Sequence, residues 1–445
     1  MNHHTCRPIT LLATAAALTT LSCGPTRVKA PPATSPGAQP ACCTADVLAA
    51  GLRIAERYRV AALPARRFTH NDFWRAVEPS IESSVLRTEA IGVSILGRPI
   101  RSVTFGEGPT KVLLWSQMHG DESTATMALA DIFRFLVEAP GDPLRERLRR
   151  TLTLVFIPML NPDGAELFQR ENAVGIDVNR DARRLSTPEA NALKKTREAL
   201  QPQFGFNLHD QNARTRVGRR GVQSAIALLA PAYDSALSYN EVRSRARLVA
   251  ATLASTFAHE IPGRIAKYDD AFNPRAFGDL MQQWGTSTVL IESGALPDDP
   301  QKQRLRALNV AGILGVLDAI ATGSYSSAAQ VAYDSLPFNQ GGAFDVLVTG
   351  GQLVLPGKAP MPVDIAINYE DAVARQRGRV RDSGDLGEAI AIDTVNAAGL
   401  FLHPGTAALT STPAGPMLRL GAVAEFDLRR GPSASSALVR RIGGG

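Results

Sequence analysis

The sequence predicts an α/β fold: a mixed central sheet covered by helices on both faces, followed by a small C-terminal all-β domain. Three observations carry this. Short apolar runs end in polar turns, stretches of helical period lie between them, and the pattern changes near residue 335. Apolar runs of this kind read as strands buried on both faces, and their alternation with helices implies a parallel or mixed sheet.

The elements follow in chain order. Asp46–Arg59 is helical, and Val85–Gly108 has the alternation and Gly punctuation of strands joined by turns. Lys111–Trp115 is a buried strand that delivers the loop Ser116–His119. Ser123–Leu136 then places Met127, Ala130, Ile132 and Phe135 at helical spacing. Leu152–Ile157 is a second buried strand, stopped by Pro158 and by the turn Asn161-Pro-Asp-Gly164. Thr187-Pro188-Glu189 opens a helix. Phe204–Leu208 is a strand leading to His209, Ser287–Ile291 a strand leading to Glu292, and Gln301–Thr322 a long amphipathic helix. The residues of chemical interest thus fall where strands end, as active sites do in open α/β sheets. Beyond residue 335, Phe344–Thr349, Asp364–Ile367, Ala389–Ile392 and Ala422–Phe426 are short strand-like runs between Gly and Pro clusters.

At 445 residues, with 44% hydrophobic and 20% charged residues, the chain has the composition of a globular protein with more than one domain. Its net charge of +6 is mildly basic. No long Lys/Arg block or aromatic–basic motif accompanies that charge, so nucleic acid is not an expected partner. The expected organisation is an export signal over 1–23, a Pro/Ala/Ser/Thr-rich linker over 24–43, a catalytic domain over 44–330 and the β domain over 335–445. Arg7 precedes the apolar stretch Ile9–Leu21, too short to span a bilayer as a mature helix. Cys23-Gly24 resembles the lipid-modified cysteine of a bacterial lipoprotein, although Thr20 stands where that motif prefers Leu. Val28-Lys29-Ala30 is the alternative cleavage site. Export to the periplasm, a membrane-anchored form or secretion is therefore expected. All four cysteines (Cys6, Cys23, Cys42 and Cys43) precede residue 44, so the folded body uses neither disulfides nor thiol catalysis.

His119-Gly-Asp-Glu122 sets an imidazole and a carboxylate three residues apart just before a helix, where both can reach one ion. Catalytic zinc takes three His or carboxylate ligands and keeps a fourth position for water. His209, at a comparable strand end, fits as the third. A solvent-facing loop histidine is the plain alternative for each His taken singly.

Taken in order, His119-x-x-Glu122, Asn161-Pro-Asp-Gly164, Arg170-x-Asn172-x-x-Gly175-Ile-Asp-Val-Asn179-Arg180, His209 and Glu292 resemble the zinc carboxypeptidase family across about residues 68–325. The resemblance implies one zinc ion per chain on His119, Glu122 and His209. It implies that Glu292 is the base that moves the water's proton, and that Arg170 stabilises the oxyanion. It further implies that Asn179 and Arg180 hold the free C-terminal carboxylate of a peptide, cell-wall peptides among the candidates. Tyr268 stands at about the distance of the family's mobile tyrosine, with a loop or core aromatic as the plain reading. Asp181-Ala182 depart from the usual residues after Arg180, and no pocket-floor residue that would set the preferred terminal side chain is identifiable.

Arg214, Arg216, Arg219 and Arg220 form a basic loop, either solvated or facing an acidic substrate flank. The tail resembles the small β-sandwich of amidohydrolases, without that family's barrel or His-x-His motif, so His403 reads as structural. Two other functions compete with the peptidase: a zinc deacylase of N-acyl amino acids, and a non-catalytic surface protein that binds peptides.

Overall fold

The computed structural model describes residues 42–219 and 221–443, with side chains from residue 45 onward. The expected export signal, almost all of the linker, the Cys23 anchor and Arg220 lie outside the described residues. Helix α1 (Cys42–Arg57) begins two residues inside the expected linker.

The first part of the chain runs α2 (His70–Ile81), β1 (Arg87–Val93), β2 (Pro99–Phe105), β3 (Thr110–Ser116), α3 (Thr124–Glu138), α4 (Pro143–Thr151), β4 (Leu152–Ile157), α5 (Pro162–Leu167), α6 (Pro188–Leu200) and β5 (Phe204–Asp210). It continues with β6 (Arg216–Val217), β7 (Ile226–Leu229), α7 (Glu241–Phe257), β8 (Ile265–Lys267), α8 (Phe277–Gln283), β9 (Ser287–Ser293), α9 (Gln303–Thr322), α10 (Val331–Asp334) and β10 (Asn339–Gln340). Eight strands form one mixed sheet in the order β1-β2-β4-β3-β5-β9-β7-β8. The central pairs β4–β3, β3–β5 and β5–β9 are parallel. The expected mixed sheet is therefore present.

Because side chains alternate along a strand, each central strand feeds two cores. Val112 and Leu114 of β3 face a large core with α1, α3, α7 and α9. Leu113 and Trp115 face a smaller one with Leu193 of α6 and with Phe277 and Met281 of α8. Helix α9 is the one described helix long and apolar enough to cross a membrane, and it lies mostly inside the larger core. Its Arg306, 1% exposed, pairs with the equally buried Asp131 of α3 (Nε–Oδ2 2.7 Å). It also donates to the carbonyls of Leu63 and Val60, which ties the segment after α1 to both helices.

Several elements escape the sequence reading. The amphipathic period of α7 is masked by Arg243, Arg245 and Arg247 near its start, and β7 and β8 are too short to show an alternation. The charge-rich α4 has only Arg145 and Leu148 buried.

The tail is all-β. It comprises β11 (Phe344–Leu353), β12 (Met361–Asp371), β13 (Gln376–Gly384), β14 (Ala391–Asn396), β15 (Phe401–Pro404), β16 (Leu409–Thr412), β17 (Gly415–Leu418), β18 (Glu425–Arg429) and β19 (Leu438–Gly443). Seven of these strands form one sheet, in which β11 pairs with β12, β14 and β15, while β16 and β17 form a separate ribbon. Val348, Ile365, Ile367, Val380, Leu402 and Phe426 fill its core. His403 lies with Nε2 3.1 Å from the Gly431 carbonyl, a structural contact.

Removing one partner of a buried ion pair strands the other charge. Arg306→Ala is therefore expected to cost about 3–5 kcal/mol of unfolding free energy, read by urea titration.

Candidate metal centre and substrate cleft

The loop after β3 is held by backbone packing. A Cβ on Gly120 would lie 1.9 Å from the carbonyl carbon of Gly164, so this loop rests directly on the first turn of α5. Asn161 braces both sides: its N–H donates to the Gln117 carbonyl (3.0 Å), its Oδ1 accepts from Gly164 N (2.9 Å), and its Nδ2 donates to the Met118 carbonyl (3.3 Å). Asp163 accepts from Ser94, Leu96 and Arg98, which fixes the turn to the β1–β2 connection. Gln117 adopts a left-handed backbone (φ 49°), a conformation non-glycine residues hold only when their surroundings impose it. The Asn-Pro-Asp-Gly turn thus positions the loop that carries His119 and Glu122.

His209 reaches the same place from inside β5, and its strand neighbour in register is Glu292 of β9. Side chains at alternate strand positions share a face, so Asn207 and His209 of β5 and Leu290 and Glu292 of β9 look toward one cleft.

Glu122 is buried between the two imidazoles. His119 Nδ1 lies 2.7 Å from Glu122 Oε1, and His209 Nδ1 lies 2.6 Å from Oε2. The two Nδ1 atoms are 3.1 Å apart. One ligand atom from each residue falls within 4.8 Å of the others. Burial opposes the charge on Glu122, but the facing His119 and His209 outweigh it and hold the carboxyl well below its usual range. Burial would likewise lower His119, yet Glu122 and Asp177 raise it to about 9. His209 is lowered, by burial first. Three buried donors crowded this closely, with two nitrogens facing each other, are the donor set of a divalent cation, and His₂Glu suits zinc with one position left open.

Asp177 is the member the sequence reading missed. Its Oδ1 lies 3.1 Å from His119 Nε2, the far side of that ring. Its Oδ2 takes Nε and Nη2 of Arg170 at 3.2 and 2.9 Å. A carboxylate on the outer nitrogen fixes the tautomer and orientation of a metal-binding imidazole. The signal was its place two residues before Asn179 in the quoted motif. Arg170 also reaches Glu122 Oε1 at 3.2 Å, so the ligand cluster and its two flanking charges form one network.

A cavity of about 570 Å³ opens beside the cluster, lined by His119, Glu122, Arg170, Asn179, Arg180, Tyr268 and Glu292. All eight site residues expected from the sequence thus come together, with His209 directly behind. The Asn179 side-chain oxygen accepts from Phe277 N (2.9 Å), at the start of α8. Arg180 donates through Nη1 to the Asn179 carbonyl (2.8 Å), and no carboxylate among the described residues forms an ion pair with it. Its guanidinium therefore keeps donors for an anion. Burial and the Glu122 charge push Glu292 up. The Tyr268 hydroxyl is pushed up to about 12, chiefly by the Glu292 charge and then by burial.

Two further residues give this cavity its character. Asn207 is 2% exposed and its Oδ1 has no hydrogen-bond partner among the described residues. Asp279, on the first turn of α8, has its carboxyl raised by burial to about 6. Strand period could have flagged Asn207, two residues before His209. Nothing in sequence marks Asp279. The basic loop resolves differently from either expectation at Arg214, which pairs with Asp345 of the β domain at 2.9 Å, while Arg216 donates to the Gly221 carbonyl.

Asp177→Asn keeps the shape but loses the charge behind His119. Zinc affinity in a competition titration is expected to fall about 10–100-fold.

Residues 71–211 match the sequence profile of the zinc carboxypeptidase family. The chain is similar to Carboxypeptidase SOL1 of Arabidopsis thaliana (27% identity over 122 residues, 25% of each protein). It is also similar to human Carboxypeptidase Z (29% over 159 residues, 30% of this chain and 24% of that protein). The chain therefore matches about a quarter of the length of these relatives. Among solved structures, a metallo-carboxypeptidase from Burkholderia cenocepacia aligns at 21% identity and TM-score 0.45, covering 57% of this chain and 70% of that one. One from Pseudomonas aeruginosa aligns at 18% and TM-score 0.44, covering 59% and 70%. The ordered motifs, the profile match over residues 71–211 and the buried His–Glu–His donor set together make this stretch of the chain similar to the zinc carboxypeptidases.

Proposed function

We propose that this chain is a zinc metallocarboxypeptidase that removes the C-terminal residue of peptides. The observation that carries the reading is one cleft holding a buried His₂Glu donor set, a carboxyl on the neighbouring strand and a guanidinium with no carboxylate partner among the described residues. His119, Glu122 and His209 would hold the metal, which would supply an activated water and polarise the scissile carbonyl.

Glu292 takes the proton of the attacking water and passes it to the leaving amine. Its burial favours the protonated form, which helps it hold that proton between the two steps. Arg170, anchored by Asp177, presents a fixed cation toward the developing oxyanion. Arg180 and the Asn179 amide receive the terminal carboxylate, which confines cleavage to chain ends. Tyr268, with its hydroxyl kept protonated, donates a hydrogen bond over the bound residue.

The terminal side chain then lies against Asn207 and Asp279, walled by Leu229, Pro231 and Leu290. A buried carboxyl that a cation would ionise, beside an unpartnered amide oxygen, favours a basic terminal side chain. A deacylase of N-acyl amino acids would share the carboxylate clamp. A second chamber of about 690 Å³, adjoining the first, favours a peptide over a small acyl group. Arg214 and Arg216 are engaged by the protein itself and so lend little to an acidic substrate flank. Export belongs to this proposal on the N-terminal sequence, and action on cell-wall peptides on the mildly basic charge of the chain.

Glu292→Gln is expected to bind zinc like the wild type, by elemental analysis, while kcat on blocked dipeptides falls by about 10²–10⁴. Full activity in that variant would refute the proton-transfer role. Asp279 is neutral below about pH 6 and charged above it. The preference in kcat/KM for Lys or Arg ends over Leu ends is therefore expected to rise as pH increases through that value. Asp279→Asn should flatten this profile and lower the preference about tenfold or more.

A further inference from the structure

The second chamber has an unusual wall. On the catalytic side it is lined by Glu122, Arg170, Asp210, Gln211 and Asn212, all of which also line the first chamber, so the two adjoin beside the donor cluster. Arg180 and Asp279 line only the first chamber. A substrate whose terminal carboxylate lies there must run its preceding residues into the second. The opposite wall comes from the C-terminal β domain: Glu370, Asp371, Ala372, Val373 and Arg377, at the tip that joins β12 to β13. The segment leading into that domain edges the first chamber as well, through Asn339 and Gly341.

This tip is fastened down. Arg66 pairs with Asp371 across the chamber, both partly buried. Arg214, five residues after His209, pairs with Asp345 at 2.9 Å and donates to the Tyr369 carbonyl. Asp345 in turn accepts from Tyr369 N at 2.6 Å. Asp371 accepts from Ala374 N (2.9 Å), which closes the turn. The hairpin is thereby gripped from the catalytic side. Between the chambers sits Asp210, held through Oδ2 by Thr124 and Lys302, with Oδ1 buried and unpartnered.

We propose that the β12–β13 tip is a length and shape filter on the acyl side of the cleft, so that the substrates are short or unstructured peptides and folded proteins are excluded. This rests on the carboxypeptidase reading and deepens it. Both chambers are of a size that encloses small ligands, whereas a folded partner needs a flat surface of hundreds of square ångströms, which the tip obstructs. The β domain is then part of the specificity apparatus.

The test uses the zinc-loaded full chain. The substrates are a blocked tetrapeptide and a folded protein whose short exposed tail ends in the same residues. The wild type is expected to prefer the tetrapeptide by at least about a hundredfold in kcat/KM, and replacement of residues 372–375 by two glycines should narrow that ratio at least about tenfold. A second variant carries Val373→Cys together with Glu292→Gln, so that bound peptide persists, and its alkylation is followed by mass spectrometry. Saturating tetrapeptide should slow labelling at position 373 several-fold. Equal wild-type rates on both substrates, or labelling at position 373 indifferent to a peptide that the wild type hydrolyses, would overturn the filter while leaving the carboxypeptidase reading intact. Failure of the wild type to hydrolyse any peptide would overturn both.

Discussion

A carboxylate buried between two imidazoles is the constraint around which this fold is organised. Glu122 meets both His119 and His209 at hydrogen-bond distance, with the two facing nitrogens only 3.1 Å apart. Such a cluster is costly to assemble without a cation at its centre. Keeping it assembled requires closely fixed backbones. Direct contact of Gly120 with Gly164 supplies this on one side, and the β5–β9 register, with His209 opposite Glu292, supplies it on the other. Asp177 and Arg170 extend the network outward, so that the ring of His119 is held on both nitrogens.

The layers around the site serve the same end. Alternation along β3, β5 and β9 sends one set of side chains into the core beneath α3, α7 and α9, and frees the other set to build a cleft against α8. Helix α8 begins where Asn179 accepts from Phe277 N, so Asn179 and the helix bearing Asp279 are positioned by one hydrogen bond. The C-terminal β domain completes the enclosure from the far side, through Arg66–Asp371 and Arg214–Asp345.

Much of this was legible in sequence, and the boundary of legibility has physical causes. Strands such as β3, β4 and β9 are buried on both faces, so their apolar runs stand out, and the helices α3, α6 and α9 carry an apolar period or a capping signal. Helix α7 was hidden because arginines such as Arg243 are buried by their own hydrogen bonds, a pattern that hydrophobic period does not register. Expected site residues were those that sit in motifs. Asp177 sat in one too, but its role depends on which side of His119 it meets, which only three dimensions show. Asp279 becomes visible only when α8 is seen packed beside β9. The role of Arg214 depended on Asp345, more than a hundred residues away.

The most direct measurement is the metal content of the purified full chain by elemental analysis, wild type beside His209→Ala. About one zinc per chain in the wild type, lost in the variant, is the expected result for a His₂Glu catalytic site. Equal zinc in both proteins, or none in the wild type even after incubation with the metal, would contradict the assignment of His119, Glu122 and His209 as the metal ligands.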